Sequence, residues 1–250
     1  MALVSKSGAY ALVAAALIAL AYSIQAPLWV PVLGLAGALG LWERSQACSS
    51  LLAVASGILL GPIGVAATLA LLASRGRLGL PRRHEWGPGV AWALAGGVAC
   101  GVVAVRLDTW RTRSGWSATR TSVEQLLDWL QEQVGPTALL VTCLAALAAL
   151  NAMVEELVFR EFLIRACVRA TFSIWASVSV SATAFALAHV AAGVPGGPLG
   201  FAATFAFGVA ASLVRLRTRT GLVGAMALHA GADFSIFALL TFNSTILLAR

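Results

Sequence analysis

Residues 137–161 read TALLVTCLAALAALNAMVEELVFRE, an apolar run from Thr137 to Leu150 followed by Asn151, Glu155, Glu156, Arg160 and Glu161 in a segment that stays hydrophobic. Crossing a bilayer takes about 20 apolar residues at a rise of about 1.5 Å each. Charge inside such a segment costs on the order of 2.5–3.5 kcal/mol per group even on lenient insertion scales. The stretch therefore reads as a membrane helix, and its carboxylates as candidates for function.

The rest of the chain has the same character. Of the 250 residues, 60% are hydrophobic and 11% charged, where a soluble domain carries about a quarter. Apolar blocks predict an all-α membrane bundle of about eight spans, at roughly 8–22, 28–42, 48–73, 89–106, 136–171, 174–192, 199–216 and 221–245. Gly61-Pro62 predicts a kink in the third span or a break into a hairpin. The apolar run after Lys6 reads as a first transmembrane helix rather than a signal peptide, because another apolar block follows it. Residues 74–88 read as a loop. Residues 107–134 mix Asp108, Arg111, Arg113, Arg120, Glu124, Asp128 and Glu132 with tryptophans and leucines, and the second half predicts an amphipathic helix at the interface. One membrane domain, residues 1–250, accounts for the chain, with N-terminal spans and the interfacial segment in 1–134 and a catalytic core in 136–245.

The net charge of +7 comes from arginines between apolar blocks, at Arg75, Arg77, Arg82, Arg83, Arg215, Arg217 and Arg219. That is the pattern of cytoplasmic loops. With no base-reading motif, nucleic acid is not expected as a partner, whereas membrane lipid is. Cys48, Cys100, Cys143 and Cys167 form no CxxC pair and read as small buried hydrophobes. High Ala, Gly and Arg content points to a GC-rich genome and a bacterial inner membrane.

The buried ionisable groups gather in the C-terminal half. Glu156 and Arg160 are four apart, on one helix face, where they can pair. Glu155 points about 100° away from that face. A Glu–Arg pair can be a purely structural tie, but such a tie does not need the second glutamate. A carboxylate in a low-dielectric pocket is suited to act as a general base. His189, after Phe185, lies in the next apolar span; a lone histidine there is more often a hydrogen-bonded core residue than a catalyst. His229 and Asp233, spaced i and i+4, share a face of the last span, with small residues between them. Glu155 and His189 each lie about 17 residues from a turn predicted near Ala170–Ser173, so they reach a similar depth, about 25 Å from it. The depth of His229 fits less well.

At these residues the sequence resembles the CPBP family, the CAAX prenyl proteases and bacteriocin-processing enzymes also called the Abi family. Glu155-Glu156-x-x-x-Arg160, Phe185-x-x-x-His189 and His229-x-x-x-Asp233 follow the family's motif order over roughly residues 136–245. The resemblance implies an all-helical intramembrane peptidase with its site in a helix-walled cavity. By analogy Glu155 is the general base, and His189 helps to hold and activate the attacking water. His229 and Asp233 stabilise the oxyanion or orient the site, and Glu156 is a supporting carboxylate held by Arg160. The CAAX prenyl proteases typically carry Asn where this chain has Asp233. An ionised carboxylate would repel an oxyanion, so Asp233 must be protonated, orient His229 or serve a metal. Glu155, His189 and His229 could supply three ligands of an open zinc site; water activated by glutamate without obligatory zinc is the preferred reading.

The expected activity is hydrolysis of a peptide bond near the membrane, in a peptide or lipoprotein substrate with a lipidated or apolar C-terminal segment, or in a leader peptide. Two other classes compete. A proton- or cation-coupled transporter would use the same buried groups but would need a continuous polar path. An immunity factor would bind without catalysis.

Overall fold

The computed structural model describes residues 87–115, 127–128, 131, 138–190 and 193–248. The three spans expected at 8–22, 28–42 and 48–73, and the Gly61-Pro62 break, lie outside the described residues. Those described are helical or in turns. In chain order the helices are α1 (Gly87–Arg113), α2 (Ala138–Glu156), a π-helical segment (Leu157–Leu163), α3 (Ile164–Arg169), α4 (Ile174–His189), α5 (Gly197–Arg217) and α6 (Gly221–Leu248). Among the described residues, Gly87–Arg113, Leu140–Arg169, Gly197–Arg217 and Gly221–Phe242 are long and apolar enough to cross a membrane, and Ile174–His189 is a shorter apolar helix.

Two expectations need correction. The fourth span does not stop at residue 106: α1 continues to Arg113. Asp108 Oδ1 takes Arg111 Nε at 2.9 Å and Nη2 at 2.8 Å, with both residues buried. Thr109 and Thr112 return their hydroxyls to the carbonyls of Val105 and Asp108. The polar groups at that end are thus satisfied within the helix, and nothing forces it to break. The span expected at 136–171 is present as the apolar helical run Leu140–Arg169, in which the seven residues after Glu156 wind as a π-helix. Cys143 and Cys167 are buried as expected, but Cys100 lies exposed on α1.

The turn expected near Ala170–Ser173 is present. Thr171 takes a left-handed φ of 68°, and Ser173 caps α4 by accepting the Ala176 N–H on its Oγ at 3.2 Å. From the segment expected at the interface, Leu127 is helical and packs into the core beside Leu140, Leu144 and Phe159.

Helix α6 is the hub, packing on α1, α2 and α5, while α4 pairs with α5. The α1–α6 seam is built from small residues. A Cβ on Gly97 would overlap the Leu228 carbonyl, one on Gly101 the Ala232 carbonyl, and one on Gly231 the Leu94 carbonyl. Glycine at these points lets the two backbones touch, the usual means of holding membrane helices together where lipid competes for apolar side chains. Ser235 Oγ adds a cross-helix hydrogen bond to Val98 O at 3.2 Å. The seam lies on the residues flanking His229, so it also fixes the rotation and depth of the helix that carries it.

Candidate active site

Three helices bring the ionisable side chains together. Glu155 and Glu156 end α2, His189 ends α4, and His229 lies one-third of the way along α6. Glu155, Glu156 and Arg160 are at most 1% exposed and His229 is 2% exposed, so their charges meet protein rather than water. Glu155 Oε2 lies 3.6 Å from His189 Nε2 and 3.5 Å from His229 Nε2. Both separations exceed a hydrogen bond and are short for ionisable groups in a dry interior.

The far side of each imidazole is anchored. His189 Nδ1 donates to the Phe185 carbonyl at 2.7 Å, so in the neutral ring Nε2 carries the lone pair that faces Glu155. His229 Nδ1 donates to Glu156 Oε1 at 2.8 Å, and its Nε2 faces Glu155 and, at 3.5 Å, Asp233 Oδ1. Glu156 therefore has two partners: its second oxygen lies 3.3 Å from Arg160 Nε. The expected Glu156–Arg160 pair is present, and Glu156 also orients a histidine 73 residues away in sequence.

Phe185 closes the apolar wall. Its ring lies 4.3 Å from that of His189 and 5.5 Å from that of His229, centroid to centroid. Arg160 stacks its guanidinium on the Phe185 face at 4.1 Å. Its Nη1 and Nη2 find no hydrogen-bond acceptor among the described residues; the ring's negative face takes up part of that charge instead. Phe207 of α5 packs edge-on to His229 at 5.3 Å. It went unnoticed in the sequence because an aromatic in an apolar span carries no signal of its own.

The π-helical segment lies directly beneath these groups. Ser181 of α4 donates its hydroxyl to the Phe159 carbonyl at 2.7 Å, giving a partner to a backbone group in a segment whose ladder is irregular. Glu161, buried at its lower end, joins Arg165 at 2.5 Å and Arg215 of α5 at 2.8 Å. This tie explains why His229 reaches the site despite its depth. It sets the lower end of α5 level with Glu161, six residues below Glu155 along the helical run. The chain turns at Thr218–Thr220, and α6 climbs about the same height above Arg215 before it reaches His229.

Asn151, one turn above Glu155 on α2, donates Nδ2 to Asp233 Oδ2 at 2.9 Å. Asn151 and Asp233 are half-buried, and the His189 side chain is 15% exposed. These residues form the accessible edge of a cluster whose floor is Glu155, Glu156, Arg160 and His229. Among the described residues, no group of three or more His, Cys, Asp and Glu side chains is arranged to hold a metal ion.

Residues 137–235 match the family described as Type II CAAX prenyl endopeptidase Rce1-like. That segment is similar to this family. It spans 99 of the 250 residues and contains Glu155, Glu156, Arg160, Phe185, His189, His229 and Asp233. No curated protein and no solved structure matches the chain. The match covers less than half of the chain, and the long apolar helices among the described residues support an integral membrane protein.

Proposed function

We propose that the chain is an endopeptidase that hydrolyses a peptide bond with a water activated by Glu155, in a substrate with a lipidated or apolar C-terminal segment. The convergence of Glu155 Oε2 with the Nε2 atoms of two histidines, each anchored through its other nitrogen, is the observation that carries this reading. A water held among these three atoms loses a proton to Glu155. Its oxygen bonds to the substrate carbonyl carbon, and the carbonyl becomes an oxyanion. When the C–N bond breaks, the proton on Glu155 passes to the departing amine. His189 and His229 orient the water through Nε2. Glu156 holds the His229 ring, and Arg160 offsets the charge of the paired glutamates.

Asp233 has its Oδ2 occupied by Asn151 and its Oδ1 toward His229. Of the three roles left open for it, orientation fits these contacts best. The site opens at the Asn151, His189 and Asp233 edge, where an extended peptide can approach from one side of the bundle. A membrane of bacterial inner type remains the expected location.

The test is cleavage of a farnesylated fluorogenic peptide ending in Cys-aliphatic-aliphatic-X by the full chain in proteoliposomes. Cleavage lost in Glu155→Gln and His229→Ala, with both variants folded, supports the reading. Cleavage by those variants at the wild-type rate overturns the site. No cleavage by the wild type, with an ion flux that the same substitutions abolish, favours the transporter class.

A further inference from the structure

A glutamate base needs an opposite number, a donor placed where the carbonyl oxygen gains charge. Arg160 is sealed under Phe185, His229 Nδ1 is committed to Glu156, and His229 Nε2 faces Glu155, on the side of the attacking water. Asp233 as a carboxylate only accepts. Asn151 is placed differently. It lies four residues before Glu155 on the same face of α2, about 5–6 Å along it, and at the accessible edge of the site. Its amide nitrogen faces a carboxylate oxygen at 2.9 Å, which settles the orientation of the amide, since its oxygen in that place would repel Asp233. One N–H is used in that bond and the other is left to donate.

We propose that Asn151, aligned by Asp233, donates its second Nδ2–H to the carbonyl oxygen of the scissile peptide as that oxygen becomes an oxyanion. Asn151 is then a catalytic residue and Asp233 its positioning residue. A carboxylate at position 233 has a place beside an oxyanion site because it holds the amide between itself and the oxyanion instead of meeting the oxyanion directly. The proposal rests on the protease reading and assigns a role within that site.

The experiment uses the full chain in proteoliposomes and the farnesylated peptide, with kcat and KM measured for Asn151→Ala, Asn151→Asp, Asp233→Asn and the exchange variant N151D/D233N. Thermal melting of each checks the fold. Loss of one oxyanion donor costs about 10²–10³ in kcat, so Asn151→Ala is expected to lose that much with KM within about threefold of wild type. Asn151→Asp, which sets two carboxylates together, is expected to lose at least as much. The exchange variant, which restores one amide and one carboxylate, is expected to recover about tenfold or more over Asn151→Asp. A kcat for Asn151→Ala within threefold of wild type, or an exchange variant no better than Asn151→Asp, overturns the proposal. Glu155→Gln separates the two layers: if it is inactive while Asn151→Ala is normal, only the role of Asn151 falls. If wild type neither cleaves the peptide nor binds the matching peptide aldehyde, whose hydrate mimics the tetrahedral adduct, the protease reading falls and the role of Asn151 with it.

Discussion

Glu155 and Glu161 are both buried carboxylates on one helical run, six residues apart, yet their surroundings differ in kind. Glu161 meets two arginines at 2.5 and 2.8 Å, which give its oxygens short charge-assisted partners. Glu155 faces two imidazole nitrogens at 3.5 and 3.6 Å, each ring tethered at its other end. A carboxylate clamped by guanidinium groups has little capacity left for a proton or a substrate and serves to tie helices. One held just beyond hydrogen-bond range of two titratable rings can exchange a proton. Burial alone therefore does not separate structure from chemistry; partner identity and distance do.

The largest expected effect on this comparison is Glu155→Gln, which removes the base. Peptide cleavage is expected to fall about 10²–10⁴-fold with the melting transition little changed, and a variant above a tenth of wild-type kcat would erase the contrast. Glu156→Ala is expected to act on stability as well as rate. It leaves Arg160 buried without its carboxylate, at a cost of about 3–5 kcal/mol, seen as a lower melting temperature in detergent. Gly97→Val drives a side chain into the α6 backbone beside His229. Overpacking of about 1–3 kcal/mol is expected to lower the melting temperature and to reduce kcat through a displaced imidazole. Glu161→Gln is expected to do the reverse of Glu155→Gln, lowering stability by about 1.5–3 kcal/mol for lost charged hydrogen bonds while kcat changes less than tenfold. A variant that is stable but inactive would move Glu161 into the site. The smallest effect is that of EDTA, expected to leave cleavage unchanged; loss of activity regained with zinc would put a metal among Glu155, His189 and His229.

Much of the site could be read from the chain because buried charge is costly in any arrangement. Glu155, Glu156, His189, His229 and Asp233 stood out for being ionisable in apolar spans, and the structure brings all five together. The turn at Ala170–Ser173 was visible as polar residues between two apolar blocks. Asn151 drew no role, since a neutral amide at a helix position gives no sign of which oxygen it will meet 82 residues on. The π-helical segment was equally silent. Its sequence, LVFREFL, suits an α-helix, and its wider winding is supported from another helix by the Ser181 hydroxyl on the Phe159 carbonyl.

By itself the sequence determined that this is a bundle of apolar helices with carboxylates and imidazoles inside it. Composition and spacing along one chain settle where lipid is tolerated and where charge is not. Tertiary structure alone decided the depths and rotations at which the helices meet. Glycines at 97, 101 and 231 set α6 against α1, and Glu161 with Arg215 sets the height of α5 and therefore of His229. Those are pairwise contacts between distant segments. A helix has no preferred height or rotation until a neighbour's backbone or charge supplies one, so the distances that turn buried charges into a site exist only in the packed bundle.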